Sequence, residues 1–348
     1  MSRRFLCYTA VALTVAVSVA GCSSTHPNNA AAPAAKSVGP IGYSALFLQD
    51  PAQSSMVRAY RAEAKTAGLA VLSPTSANND ASQQDTDIRN LISAGAKSLL
   101  VIPADVNAVV PPIKFAIGKG IPVATLMLGP SGGKTSVSLQ VDNKQIGAQS
   151  CTYLGGELKG RGKVLEILGD LRQTTAQDRH TGFNACMKSD FPQITVITKE
   201  GGQWDPAVAA ASASAVLTST PDLGGIFMAS DGYVTPVAQA IKHAGHTAAA
   251  GSPGHVYTIA VDGTPAALTA IRGKSLDADN AQPVDMYIKY ALDYLQQIHD
   301  GKTIASGKTD HDSTVIVTSD GYPADVFDSV LITSANVDDT SLWANQTS

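Results

Sequence analysis

The chain has 348 residues, 44% of them hydrophobic, with 25 Lys or Arg against 29 Asp or Glu and a formal net charge of −4. This mild acidity, without any basic block, argues against nucleic-acid binding, which needs clustered positive charge to meet the phosphates. The length exceeds one ordinary hydrophobic core and predicts two domains of roughly 150 residues each.

Residues 1–22 have the layout of a secretory signal. Two arginines at positions 3 and 4 precede an uncharged, mostly apolar run over residues 5–20, which is shorter than the about 20 residues that a membrane-spanning helix needs. Cys22 follows directly after Ala20-Gly21, an arrangement that resembles a bacterial lipobox, in which the cysteine is acylated and becomes the mature N-terminus. We therefore expect an extracytoplasmic protein anchored to the cell membrane by a lipidated Cys22. The alternative is an ordinary cleaved signal with an incidental cysteine.

The segment 23–38 is built from Ser, Asn, Ala and Pro and has nothing to bury, which predicts a flexible tether. After it, short β-branched runs alternate with helical patterns, which is typical of parallel βαβ units. The first half predicts strands at 42–48, 70–73, 98–102, 122–128 and 136–141, and helices at 54–67, 80–94 and 108–118.

The same pattern then starts again. It predicts strands at 163–168, 195–199, 225–228, 257–261 and 276–280, and helices at 143–158, 175–189, 206–218, 235–244, 266–271 and 284–299. A last strand at 313–318 precedes an irregular tail. The fold class is therefore α/β, with two doubly wound parallel-sheet lobes. Ligands of such sheets bind outside the carboxyl ends of the strands, so two facing lobes would enclose a small molecule in one cleft.

Two of the four cysteines lie in the folded body. In an oxidising compartment Cys151 and Cys186 are a candidate disulfide, and the alternative is two separately buried thiols.

The sequence motifs give little support for an enzyme active site or for a metal site. Residues 129–133 spell G-x-S-x-G around Ser131, but the pattern that follows is a strand where a nucleophile elbow requires a helix. His243 and His246 form a close pair with no acidic cluster nearby, which is a poor metal site. We expect neither an enzyme, nor a metal, nor a cofactor; a lipid-anchored hydrolase using Ser131 is a remote alternative.

Six segments, taken in order, carry a resemblance to a known family. They are GAKSLLVIPAD (95–105), GIPVATL (120–126), VDNKQIGAQ (141–149), QDRHTGF (177–183), GGIFMASDG (224–232) and IAVDGTPAALTAI (259–271). Together with the lipobox, they make the chain resemble the type I periplasmic solute-binding proteins of ABC transporters, in the ribose-binding-like group, over about residues 42–318. The resemblance implies two Rossmann-like lobes joined by a hinge of three crossings, near Val141, Ala281 and Lys308. The N-terminal lobe would then comprise residues 39–141 and 282–308, and the C-terminal lobe and tail residues 142–281 and 309–348.

The resemblance also implies ligand-binding residues in the second lobe. Asp262, in VDGTP, matches a carboxylate that accepts hydrogen bonds from ligand hydroxyls, and Trp204, in GGQWDP, matches an aromatic that stacks on a sugar face. The alternative is a structural role for each residue, in which Asp262 caps the next helix and Trp204 packs between helix and sheet.

Four further polar residues are implied in the same way. Ser230 and Asp231, in MASDG, match a polar pair that reaches the cleft. Gln282, with Asn280 beside it, matches a polar hinge residue after the second crossing.

Three stretches depart from the family's pattern. Where the family often has Asn followed by paired aromatics, the chain reads QDPAQ (49–53), which leaves Asp50 and Gln53 as candidates. Where the family usually has an Asp-Arg pair, the chain has Met127-Leu128. Where the family has an arginine that faces the ligand, the chain has a glutamine, and Arg179 is the nearest arginine. As structural residues, Asp50 and Gln53 would open the first helix and Arg179 would form a salt bridge. The departures favour a smaller or less hydroxylated solute, such as a polyol, a furanose or a deoxy sugar.

The function implied is that of an extracytoplasmic substrate-binding lipoprotein of an ABC importer. It would hold a small neutral sugar, polyol or related solute in the interlobe cleft by hinge closure and deliver it, as a monomer, to a membrane ABC permease. The alternative is a ligand-sensing lipoprotein that signals to a membrane sensor and transports nothing.

Overall fold

The structure is a computed structural model that describes residues 38–346. The predicted signal, Cys22 and nearly all of the predicted tether lie outside the described residues. Over the described range, none of the helices combines the length and apolar character needed to cross a membrane.

The first lobe begins as alternating strands and helices, and two aspartates start its first two helices. Asp50 and Asp80 each cap a helix by accepting a hydrogen bond from the backbone N–H of residues two or three positions on. The elements are β1 (Ile41–Ala45), α1 (Pro51–Thr66), β2 (Thr75–Ser76), α2 (Ala81–Ser93), β3 (Ser98–Val101), α3 (Val110–Gly118), β4 (Val123–Leu126) and β5 (Val137–Val141).

The second lobe repeats this alternation, with Asp142 and Asp205 as helix caps. Its elements are α4 (Asn143–Glu157), β6 (Arg161–Ile167), α5 (Thr174–Asp190), β7 (Gln193–Lys199), α6 (Pro206–Ser219), β8 (Gly225–Met228), a 3₁₀ turn (Asp231–Tyr233), α7 (Val234–His243), β9 (Tyr257–Asp262), α8 (Pro265–Arg272) and β10 (Ala278–Ala281).

The rest of the chain visits both lobes. It forms α9 (Val284–His299), β11 (Gly307–Lys308), β12 (Thr314–Val317), β13 (Pro323–Phe327), β14 (Val330–Thr333) and α10 (Trp343–Gln346). The strand order is β11-β12-β13-β5-β4-β3-β1-β2 in the first sheet and β14-β10-β9-β8-β6-β7 in the second. Strands β1, β3 and β4 are buried along their whole length, as expected for parallel strands covered on both faces.

The chain crosses between the sheets three times, and the third crossing corrects the sequence prediction. The first crossing lies between β5 and α4 and the second between β10 and α9. Strand β13 pairs in parallel with β5, and β14 pairs antiparallel with β10, so the third crossing lies between Phe327 and Val330 and not near Lys308. Residues 309–327, assigned to the second lobe, therefore extend the first sheet, and the tail is not irregular.

A buried carboxyl group gives the physical reason for this placement. Asp325, on β13, is fully buried and accepts hydrogen bonds from Tyr294 of α9, at 3.0 Å, and from the Ser313 hydroxyl. A buried carboxylate is tolerated only with such partners, and both are supplied by the first lobe.

Helices α4 and α5 of the second lobe approach each other closely. A Cβ atom at Gly147 would overlap the carbonyl oxygen of Arg179, and one at Gly182 would overlap that of Lys144. The two helices are also joined by a disulfide between Cys151 and Cys186, whose Cα atoms are 6.1 Å apart.

A candidate ligand-binding cleft between the sheets

A cavity of about 380 Å³ lies where the carboxyl ends of the parallel strands of both lobes meet. The first lobe contributes the segments that follow β1, β3 and β4, and the second lobe those that follow β6, β7, β8 and β9. A volume of this size is typical of small-molecule sites, and the position is the one expected for open α/β sheets.

Arg179, on α5, is the cation at the base of this cavity. Its side chain is 2% exposed; Nε donates to Asn143 Oδ1 at 2.9 Å, and Nη1 donates to the carbonyl oxygen of Ala229. Its Nη2 lies 3.7 Å from Asp262 Oδ1. The guanidinium is thus fixed in place by α4, by the end of β8 and by the end of β9.

Asp262 ends β9 with a backbone φ of 126°, a conformation that non-glycine residues rarely adopt. Its carboxylate accepts hydrogen bonds from Ser230 Oγ at 2.9 Å and from Gln282 Nε2 at 2.6 Å. Burial raises the pKa of Asp262, and the charge of Arg179 and these hydrogen bonds oppose that rise. A strained residue held by so many partners is typical of a functional site.

Trp204 lines the cavity from the segment after β7. Its ring packs on Gly169, where a Cβ would overlap the indole, and its Nε1 donates to Gln173 Oε1 at 3.2 Å. Trp204 itself has a φ of 68° and is only partly buried. The indole is therefore oriented by the loop and by Gln173, with part of its surface at the cavity.

Two buried donors at the cavity lack a hydrogen bond within the described residues, although one of them forms an ion pair with Asp262. Several buried side-chain atoms of residues 38–346 lack a hydrogen bond, among them the acceptor Asn79 Oδ1 and the two donors Arg179 Nη2 and Gln173 Nε2. Arg179 and Gln173 both line the cavity. Because a buried donor without a hydrogen bond costs free energy, the two nitrogens favour a solute that presents oxygen acceptors.

Of the candidates in the first lobe, Asp50 and Gln53 both line the cavity. Asp50 Oδ1 accepts from the N–H of Gln53 at 2.9 Å, and Gln53 Oε1 accepts from the N–H of Phe47 at 2.9 Å. Burial and the nearby charge of Asp262 raise the pKa of Asp50 to about 7, while the backbone hydrogen bonds and Arg179 lower it. These two residues therefore open the first helix and also face the site.

Ser230 lines the cavity, but three other candidates do not. Asp231 turns into the second lobe, where its Oδ2 accepts from the N–H of Thr264 at 2.9 Å and from the Thr264 hydroxyl at 2.6 Å. Asn280 is fully buried and donates to Ser150 Oγ at 2.9 Å. Gln282 lies behind Asp262 and supports its carboxylate without reaching the cavity.

Gln173, Thr175 and Asn79 also line the cavity and were not among the residues predicted from the sequence. For Gln173 and Thr175 a signal was available, because both lie where β6 gives way to α5, at a carboxyl strand end. Asn79 follows a two-residue strand whose position the sequence pattern did not predict. Its Nδ2 donates to Asp170 Oδ2 at 3.3 Å, a hydrogen bond that joins the two lobes.

In the described part of the chain, His, Cys, Asp and Glu side chains form no group of three or more that could hold a metal ion.

Comparisons with known proteins agree on the type of molecule. A family model described as a periplasmic binding protein domain matches residues 41–303. The chain is 26% identical over 264 residues to the ribose import binding protein RbsB of Bacillus subtilis (strain 168), which covers 76% of this chain and 83% of the relative. It is 26% identical over 198 residues to a xylitol-binding protein of Mycolicibacterium smegmatis, which covers 57% of this chain and 54% of the relative. Among solved structures, the fructose-binding periplasmic domain of the hybrid two-component system BT1754 superimposes with a TM-score of 0.74 at 23% identity, over 88% of this chain and 93% of that domain.

Proposed function

The chain belongs to the periplasmic binding protein domain family, and we propose that it is the substrate-binding lipoprotein of an ABC importer. Its fold is the type I fold that the sequence resemblance implied, and it is a solute-binding protein, not an enzyme. The solute is a small neutral sugar, polyol or related compound, held between the lobes by hinge closure, with the protein anchored outside the cytoplasm at Cys22.

The observation that carries this proposal is the pair of buried donors without a hydrogen bond, Arg179 Nη2 and Gln173 Nε2, at the wall of the cleft. Ribose and xylitol, named for two of the relatives, are rich in hydroxyl oxygens that can accept from such donors. A hydrogen bond nets about 1 kcal/mol, and somewhat more when one partner is charged. Micromolar affinity needs about 8 kcal/mol, which several such bonds and one covered ring face would supply.

A thermal-shift screen of the purified protein against sugars and polyols tests the proposal. A solute that binds only the folded state raises the melting temperature by mass action, so a weak ligand is also detected. If no sugar or polyol shifts the transition while another class of metabolite does, the proposed function is wrong.

Replacing Trp204 with alanine is expected to weaken binding of the screened ligand at least tenfold, because the ligand loses the ring that covers it. The chain has two tryptophans, so Trp343→Phe in α10 is the matched control and should leave the affinity within about twofold. In that control, Trp204 is the sole tryptophan, and its fluorescence should change on titration with ligand. If the Trp204→Ala variant bound the ligand with wild-type affinity, the assignment of Trp204 as a ligand-binding residue would be wrong.

Ligand affinity is expected to fall roughly tenfold as the pH rises from 6 to 8, since the pKa of Asp50 is raised to about 7 with the lobes in contact. In a solvated, open cleft its pKa would be near the ordinary 3.8, so closure takes up a proton below pH 7 and not above it. Asp262, Arg179 and Tyr43 also face Asp50, and Asp50→Asn isolates its contribution while keeping a helix cap. Calorimetric titrations from pH 5.5 to 8.5 should show a much flatter profile for the variant; equal profiles would exclude Asp50 as the linked group.

A second candidate function is that of a ligand-sensing lipoprotein, because the same fold occurs in the fructose-binding domain of a hybrid two-component system. Uptake of the radiolabelled ligand in a deletion strain separates the two. Lost uptake supports the importer, whereas normal uptake with a lost transcriptional response supports the sensor.

A further inference from the structure

The two walls of the cleft differ in chemistry. The wall of the second lobe carries the polar groups Gln173, Thr175, Arg179, Ser230 and Asp262 together with the rings of Trp204, Pro206 and Tyr233. The wall of the first lobe carries apolar side chains after β1, β3 and β4, beside four polar residues that also line the cavity: Leu46, Phe47, Ile102, Met127 and Leu128, with Gln49, Asp50, Gln53 and Asn79. On the first lobe, a solute meets hydrocarbon alone where it lies against the segments that follow β3 and β4, at Ile102, Met127 and Leu128.

Some polar groups of the first-lobe wall are already engaged in hydrogen bonds, whereas Asn79 Oδ1 has none. Gln53 Oε1 accepts from the N–H of Phe47, and Asn79 Nδ2 donates to Asp170 of the other lobe. Asp50 is the one carboxyl group of this lobe at the cavity. A solute hydroxyl placed against the ends of β3 and β4 would therefore find no side-chain partner among the lining residues there.

Met127 gives independent support for this view. Its φ is 68°, in the left-handed region where asparagine, aspartate and glycine are far better tolerated. Its N–H donates to the carbonyl oxygen of Leu139 at 2.8 Å, which ties this backbone position to β5. A methionine at such a position, at the cavity wall, is the kind of strained residue that persists at functional sites.

We propose that the solute is a deoxy sugar, whose methyl or methylene edge lies against Met127 and Leu128 while its hydroxyls face Arg179 and Gln173. This inference rests on the proposed function and narrows its substrate class. A hydroxyl at the apolar wall would lose its water without gaining a partner, which favours the deoxy compound about 10- to 100-fold over its hydroxylated parent.

Calorimetry on the full chain with matched pairs tests the proposal. The pairs are D-fucose with D-galactose, L-rhamnose with L-mannose, D-quinovose with D-glucose, and 2-deoxy-D-ribose with D-ribose. In at least one pair the deoxy member should bind at least tenfold more tightly.

Met127→Asn, which suits the left-handed backbone, should reduce that preference at least tenfold by weakening the deoxy compound and strengthening its parent. The matched control is Leu171→Asn, on an exposed leucine of the second lobe that does not line the cavity, and it should leave the preference unchanged. The preference of the wild-type protein is itself decisive and needs no variant to fold.

Tighter or equal binding of the hydroxylated member in every pair overturns the inference and leaves the proposed function standing, because a sugar still binds. Binding of neither member of any pair also overturns it, and the wider thermal-shift screen then decides the proposed function separately.

Discussion

Replacing Arg179 with methionine is expected to weaken ligand binding at least 100-fold and to lower the free energy of unfolding by about 3–5 kcal/mol. Binding is lost because the guanidinium supplies a donor at the cavity wall. Stability is lost because Asp262 remains buried without its cation and Asn143 loses its partner. Isothermal calorimetry and urea denaturation measure the two effects.

The matched control removes a cation of the same lobe from an exposed ion pair. Lys163 lies 2.8 Å from Asp222, but both side chains are largely exposed, so Lys163→Met should cost at most about 1 kcal/mol and leave binding unchanged. Adding Asp262→Asn to Arg179→Met removes the uncompensated charge and should recover part of the stability but none of the binding. A single Arg179→Met variant as stable as the Lys163 variant would contradict the buried-pair argument.

Replacing both Cys151 and Cys186 with alanine is expected to destabilise the protein by about 3–4 kcal/mol and to lower its melting temperature by roughly 5–10 °C. The two residues are 35 positions apart, and a bond that closes a loop of this length restricts the unfolded chain. Differential scanning calorimetry measures the effect.

Reduction of the wild-type protein with dithiothreitol is the control for lost packing at these positions. The melting temperature of the reduced protein should be close to that of the alanine variant, because both lack the disulfide. The reduced protein keeps the two thiols, so the comparison separates the effect of the bond from the effect of lost packing. A reduced protein that melts like the oxidised one would show that the bond contributes little to stability.

The sequence predicted the architecture well because parallel sheets impose a clear signal. Buried strands such as β3 and β4 appear as short apolar runs between helices that begin with an aspartate cap or with proline in the first turn. The third crossing was misplaced for an equally physical reason. Strands β12 and β13 are short and partly polar, and only pairing with β5, which is distant in sequence, assigns them to the first lobe.

The site was predicted in part. Strand ends identify which segments reach the cleft, but adjacent residues point in different directions, so Ser230 faces the cavity while Asp231 turns inward to Thr264. Likewise, the choice of Arg179 over its neighbours depends on the rotation of α5, which its contact with α4 determines. Such orientations are tertiary properties and leave no mark in a single sequence.

The division of chemistry between the two walls has an evolutionary consequence. Arg179, Asn143 and the disulfide that joins their helices belong to the second lobe, whereas Met127 and Leu128 directly follow strand β4 of the first. After a gene duplication, a few substitutions at these two positions can therefore change the solute specificity of the encoded protein. They have little effect on the buried ion pair of the other lobe. Paralogues of this chain should therefore diverge in nutrient preference sooner at positions 127 and 128 than at position 179.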